Sequence, residues 1–291
     1  MRSYAPCIAV MQRQWLPQNA DRWDAGSVMN ANTSAANGSP LKITLIGGSG
    51  LIGRKLAPLL EAQGHDIVIA SPSRGVNTLT GEGLAEAVKG SQVVVDVTNS
   101  PSFEEKAVRE FFDTSTRNIL AACSEAGVQH FVALSVVGTD RTPTNGYFRA
   151  KLVQESLIQA STVPFTIVRA TQFFEFTGAI ATPTPDGSAV RVSSSRFQPM
   201  AADDVAAALA DVAVSDPRRG IVEIAGPEAA PMDEIVRRFF ESKGDSREVI
   251  GDRSEPYFGT PIDDQSLTPG PGARLGRIWF ADWLAQQASQ A

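Results

Sequence analysis

The chain has 291 residues, 43% hydrophobic and 20% charged, with a formal net charge of -6. That is enough apolar material for one large packed domain or two modest ones, and an acidic surface repels phosphate backbones, which argues against a nucleic-acid partner. The two cysteines, Cys7 and Cys123, form neither a disulfide framework nor a zinc spacing and fit a reducing compartment. No apolar run reaches the length of a membrane span, and the first thirty residues lack the apolar core of a secretory signal, so a cytoplasmic location without a membrane partner is expected.

Residues 1–40 carry neither a helical nor a strand period, and 30–40 is rich in Asn, Ser, Ala and Gly. Such a segment buries too little apolar surface to offset its ordering entropy, so the expectation is a disordered arm, with Met29 as an alternative start. From residue 41 strands and helices alternate. A strand over 41–46 leads into a helix over 51–63, which Gly64 stops and in which Pro58 is expected to cause a kink or break a backbone bond. Strands follow over 66–70, weakly over 76–78, and over 92–97. The helix over 103–126 places Val108, Phe112, Ile119 and Cys123 near one face. A strand over 130–134, a helix over 147–160 and a strand over 165–169 complete the run.

Strands without polar alternation, separated by helices, predict an α/β fold built on a doubly wound parallel sheet covered on both faces. Beyond residue 170 the pattern loosens, with helices over 203–214 and 231–243 and a strand over 221–225. The expected organisation is a nucleotide-binding core over 41–170 and a smaller C-terminal substrate lobe, with returning sheet elements, over 171–291. The lobe covers the sheet's carboxyl edge, where open α/β sheets bind ligands.

The turn Gly47-Gly48-Ser49-Gly50-Leu51-Ile52-Gly53 joins the first strand to the first helix. In that context glycines have separate uses: Gly47 for a tight turn, Gly50 for close approach of backbone to a pyrophosphate, Gly53 for helix–strand packing. Ser49, Leu51 and Ile52 place their backbone N–H groups at the helix N-terminus, where unpaired donors and partial positive charge favour phosphate. An NAD site places an acid at the end of the second strand. This chain reads Ala70-Ser71-Pro72-Ser73-Arg74 there, and the Arg74 guanidinium with the Ser71 hydroxyl suits a 2′-phosphate, so NADP(H) is the expected cofactor.

Tyr147 and Lys151 are four apart on a predicted helix and share a face. A neighbouring ammonium lowers a phenol's pKa from near 10, which makes Tyr147 a usable proton donor or acceptor, and Lys151 is also placed to hold the nicotinamide ribose. Ser135 ends the preceding strand, twelve residues earlier, at the ligand-binding edge, where its hydroxyl is placed to orient a substrate carbonyl. The bland alternatives remain open: Ser135 as a strand-end cap and Tyr147 as a core aromatic. His65 and His130 have no acid or thiol beside them and do not read as a metal site. Asp203 and Asp204 read as a helix N-cap with favourable dipole placement. Residues 171–176, with Gln172, Phe173 and Phe174, line either a substrate pocket or the lobe core.

The glycine turn, the stretch 118–128, the strand to Ser135, the Tyr147/Lys151 pair, the stretch 165–173, Phe197-Gln198-Pro199-Met200 and Asp203-Asp204-Val205-Ala206 together resemble the short-chain dehydrogenase/reductase superfamily, in detail its atypical, NmrA-like branch. The resemblance covers roughly residues 41–284. It implies a Rossmann fold, NADP(H) as cofactor, and a hydride-transfer site of Ser135, Tyr147 and Lys151. It further implies an NADPH-dependent oxidoreductase acting on a small carbonyl, quinone or azo-type acceptor, or alternatively a dinucleotide sensor that regulates other proteins without chemistry. The further asparagine of many catalytic members has no clear counterpart: Phe112 falls near its place, and Asn118 reads as structural.

Overall fold

The computed structural model describes residues 39–289. The expected N-terminal arm, Met29 and Cys7 lie outside the described residues. β1 (Lys42–Ile46) leads through the glycine turn into α1 (Leu51–Ala62), then β2 (Asp66–Ala70), a short 3-10 turn (Pro72–Arg74), α2 (Leu84–Val88), β3 (Val93–Asp96), α3 (Glu105–Ala126), β4 (His130–Val136), α4 (Gly146–Ala160) and β5 (Phe165–Ala170). A 3-10 segment (Phe174–Ala179) opens the second half, followed by β6 (Thr182–Pro183), β7 (Ala189–Val192), β8 (Arg196–Phe197), α5 (Ala202–Ala213), β9 (Gly220–Ala225), β10 (Ala230–Pro231), α6 (Met232–Ser242), β11 (Glu248–Gly251), β12 (Arg274–Leu275) and α7 (Phe280–Ser289).

Seven strands form one sheet in the order β12-β9-β5-β4-β3-β1-β2, and every pairing in it is parallel. This is the doubly wound α/β sheet. β1 has β2 on one side and β3 on the other, so the winding reverses there and leaves a crevice at the carboxyl ends of β1 and β3. One apolar layer sets Ile43, Leu45 and Val95 against Leu56 of α1 and Val205 and Leu209 of α5. The other sets Val94, Phe131 and Ile167 against Ile119 and Cys123 of α3 and Ile158 of α4. Burial on both faces explains the absence of alternation in these strands.

The lobe has its own core, in which Phe174 packs on Phe280 and Trp283 at centroid distances of 4.9 and 5.6 Å. Of the stretch left open above, Phe174 is therefore lobe core, whereas Phe176 is exposed. β9 and β12 return from the second half to extend the main sheet beyond β5.

Two local expectations are corrected. Residues 76–78 form no strand: Asn77 Oδ1 accepts from the Leu79 and Thr80 backbones, an Asx turn that replaces sheet pairing. α1 is continuous through Pro58, which has no N–H to donate to Arg54 O, so the backbone bond expected to be lost is lost. Asp203 and Asp204 lie in the first turn of α5 but do not cap it, since Asp203 pairs with Lys55 at 2.9 Å and Asp204 accepts from the Arg277 and Ile278 backbones.

Candidate active site

The glycine turn sits at the winding reversal. The Gly47 N–H donates to Ala70 O at 2.8 Å, which ties the turn to the end of β2. Gly47 has φ +81°, and a Cβ on it would lie 3.0 Å from Thr98 N, so the backbone past β3 approaches within contact. A Cβ on Gly53 would collide with the Gly48 backbone, which seats α1 directly on the turn. Gly50 is the N-cap and provides no side-chain bond, so the first N–H groups of α1 stay open for an anion. Ser49 and Gly50 are exposed; Leu51 is half-buried and Ile52 buried, so Ile52 has only its backbone to offer. This bare, uncapped cradle fits a pyrophosphate.

β2 runs in register with β1 to the pair Ile46–Ala70, so Ser71 and Arg74 stand beside the glycine turn. Ser71 is buried, with its hydroxyl 3.0 Å from that of Ser73. Arg74 is exposed at the end of the 3-10 turn, and no acidic residue occupies 70–76.

Asn145 caps α4 by accepting from the Phe148 backbone N–H at 3.1 Å, which fixes where the helix begins and where Tyr147 stands. The Tyr147 hydroxyl donates to Asn99 Oδ1 at 3.1 Å. Its ring packs between Phe103 and Phe112, at centroid distances of 5.8 and 5.9 Å. Lys151 is buried one turn on, where its Nζ donates to Leu134 O at 2.8 Å and to Gln154 Oε1 and lies 4.3 Å from the Phe112 ring centroid. Gln154 in turn donates to the buried Asp96 carboxylate at 3.0 Å.

The electrostatics differ from the expectation. Burial among aromatic rings pushes the Tyr147 phenol up, not down. Burial also lowers the Lys151 ammonium to about 8, opposed by the charges of Asp96 and Glu155. Burial raises the Asp96 carboxyl, against its bonds to Thr98 and the nearby Lys151. Lys151 spends two of its three donors on Leu134 and Gln154, and one remains.

Ser135 is not brought to Tyr147. Side chains alternate along a strand, and at position 135 β4 faces α4. The Ser135 hydroxyl donates to Glu155 Oε1 at 2.6 Å. Glu155 also takes both a 2.9 Å and a 2.7 Å bond from Arg169, and Arg169 reaches Asp140 at 2.9 Å. Ser135, Arg169 and Glu223 lie in register across β4, β5 and β9, so this row clamps α4 to the sheet. Asn118 Nδ2 donates to Thr78 O and Leu79 O and is structural.

Sequence reasoning missed Asn99 and Asp96. The available signal was a lone acid in the apolar run Val93-Val94-Val95-Asp96, followed within three residues by an asparagine at the ligand-binding edge.

A family model described as NAD(P)H-binding matches residues 47–216. The enzyme WbmG of Bordetella bronchiseptica, solved with NAD, superposes with a TM-score of 0.65 at 16% identity, over 87% of this chain and 94% of that one. A dTDP-4-dehydrorhamnose reductase of Bacillus anthracis, solved with NADP, gives 0.63 at 14% identity, over 88% and 100%. These likenesses show the fold. The Photosystem II assembly factor Ycf39 of Synechocystis sp. is 22% identical over 165 residues, 52% of this chain and 51% of that protein, so the chain spans about half the length of this curated relative.

Proposed function

The chain belongs to the NAD(P)H-binding family, and from that premise we propose that it is an NADPH-dependent reductase of the short-chain dehydrogenase/reductase type, acting on a small carbonyl, quinone or azo-type acceptor. NADPH, when bound, supplies the hydride. The glycine turn and the α1 N-terminus hold its pyrophosphate, Arg74 and Ser71 read the 2′-phosphate, and the free donor of Lys151 takes a ribose hydroxyl. Structural neighbours carry either NAD or NADP, so the preference for NADP rests on Arg74 and the missing acid alone. Among the described residues no helix is long and apolar enough to cross a membrane.

The observation that carries this reading is the Tyr147 hydroxyl on Asn99, at the carboxyl edge beyond β3. A phenol holds its proton at neutral pH, the form a general acid needs in the reducing direction, while burial, by raising the pKa, makes Tyr147 a weaker acid. Turning the O–H from Asn99 to the acceptor oxygen delivers that proton. Ser135, bound to Glu155, acts here as a positioning residue that keeps α4 in place. The test is loss of NADPH absorbance with a broad panel of carbonyl, quinone and azo acceptors.

One observation favours a second reading, a dinucleotide sensor without turnover. Lys151 donates to Leu134 and Gln154, and Tyr147 to Asn99, so the pair is not coupled as a tuned acid. Ycf39, a curated relative, is named as an assembly factor. Tight NADPH binding with no oxidation across the panel would select this reading.

A further inference from the structure

The segment after β11 is tied to the loop between β4 and α4, the loop that leads into Tyr147. Arg253 and Asp264 pair at 2.7 Å across its base, Arg141 Nη1 donates to Gln265 O at 2.7 Å, and Gly138 is bare because a Cβ there would collide with Ser266 O. The loop following β4 is thus pinned under this segment. Between the pinned legs lies a two-residue hairpin turn, Tyr257-Phe258-Gly259-Thr260, closed by Tyr257 N–H to Thr260 O at 2.8 Å and Thr260 N–H to Tyr257 O at 3.0 Å.

Both central residues have positive φ, +46° at Phe258 and +78° at Gly259. Hairpin turns of this kind select Asn-Gly or Gly-Gly, because a bulky side chain at positive φ meets its own backbone. A phenylalanine there is strained and also 61% exposed, so neither backbone preference nor burial accounts for it. Pro256 and Pro261 flank the turn and restrict its legs, which keeps the strained conformation in place.

What the turn faces is aromatic. Tyr257 packs edge-on to Phe258 at a centroid distance of 4.7 Å and, like Tyr147, packs against the apolar cluster of Phe148 and Leu267. Phe103, 70% exposed, lies 5.8 Å from Tyr147 on the other side. Phe103 lies on Tyr147 and Phe258 on Tyr257, two aromatic pairs each ending in an exposed ring, and Tyr147 and Tyr257 pack against one apolar cluster.

We propose that Phe258 is a specificity-determining residue, held at positive φ by its braced turn to stack against a flat aromatic ring bound beside Tyr147. The proposal rests on the reductase reading for the location of the acceptor. A planar π-face is the ligand surface that offset or edge-to-face contacts with such rings favour, and ring contact, not hydrogen bonding, is what this mouth offers.

Two variants test it, with 1,4-naphthoquinone as the flat probe and binding to the NADP-loaded protein followed by fluorescence quenching. Phe258→Asn suits the turn, since Asn tolerates positive φ. It should hold or raise the melting temperature, by up to roughly 2–4 °C, while weakening probe binding about tenfold. Phe258→Tyr keeps ring and strain and should bind as the wild type does. The proposal is overturned if the wild type does not bind the probe, if the asparagine variant keeps wild-type affinity, or if the tyrosine variant loses as much affinity as the asparagine one. NADPH oxidation is read separately. Probe binding without turnover with any acceptor rejects the reductase reading alone, and turnover with non-aromatic acceptors without probe binding rejects only the role of Phe258.

Discussion

Tyr147 and Lys151 share one face of α4, yet their polar atoms are held apart: the phenol donates to Asn99 Oδ1 at 3.1 Å, and the ammonium donates to Leu134 O at 2.8 Å. On the proposed reading, Tyr147 is a neutral proton donor whose resting partner is Asn99. Tyr147→Phe removes the hydroxyl but keeps the ring against Phe103 and Phe112. Turnover should fall about 100-fold or more, with NADPH affinity nearly unchanged. Steady-state kinetics beside a binding titration checks this, and near-wild-type turnover would remove Tyr147 as the acid.

Lys151 gives a pH dependence. Its pKa is lowered to about 8 by burial, with Asp96 and Glu155 opposing the shift. The ammonium is the form that donates to a ribose hydroxyl, so kcat/KM should be high below pH 8 and fall as pH rises through it. Stability follows the opposite sign. The folded pKa lies below the unfolded 10.5, so the folded state binds fewer protons between pH 8 and 10.5, and this group's contribution to stability rises with pH across that window. A pH–rate profile that stays flat from pH 7 to 10 would exclude the ammonium from the reaction.

Ser135 separates a structural role from a chemical one. Its hydroxyl is committed to Glu155, which is buried with Arg169. Ser135→Ala should cost about 1 kcal/mol of stability, the net value of one hydrogen bond, and change kcat by only a few-fold. Glu155→Gln leaves the Arg169 charge poorly compensated in the interior and should cost roughly 3–5 kcal/mol. Denaturant melts of both variants with kcat in parallel decide the matter: a thousandfold loss of kcat in Ser135→Ala, with stability intact, would return Ser135 to the reacting atoms.

His130 is buried in β4 with its Nε2 2.9 Å from Thr166 Oγ1, and burial lowers its pKa to about 4. The unfolded value of 6.5 is higher, so the unfolded state takes up a proton first as pH falls. Stability should decline as pH drops from 6.5 towards 4. His130→Gln removes this titration, and its melting temperature should change less with pH over that window. Equal slopes in both proteins would show that His130 stays neutral for no thermodynamic consequence.

The core half of the fold was legible because its strands are short apolar runs buried on both faces and its glycines have one use at that position. The lobe was not, because β6, β8, β10 and β12 are two residues long and too short to carry a period. In the site, the Tyr147–Lys151 spacing correctly placed both residues on α4, but spacing says nothing of where a side chain's hydrogen bonds go. Lys151 turned to Leu134 O, a backbone acceptor invisible to any motif, and Ser135 to Glu155, twenty residues away. The sign of the Tyr147 shift was also out of reach, since it depends on Phe103 and Phe112 coming from a different helix and loop.

On the proposed reading, Arg74 carries the choice between the two cofactors. It ends the 3-10 turn that follows β2, beside the glycine turn that the Gly47–Ala70 bond fixes, and no acid lies at the strand end to take a free ribose hydroxyl or repel a phosphate. An exposed guanidinium in that place has its fork available for the phosphate oxygens. Arg74→Ala should weaken NADPH by roughly 10- to 100-fold, the scale of a charge-assisted hydrogen bond, and leave NADH within a few-fold. Added salt should erode the wild-type preference, because Arg74 is open to screening. Parallel titrations of wild type and variant with both cofactors, at low and high salt, check both parts. Equal losses for NADPH and NADH would mean that Arg74 shapes the turn and does not read the phosphate, and the basis for NADP preference would then be gone.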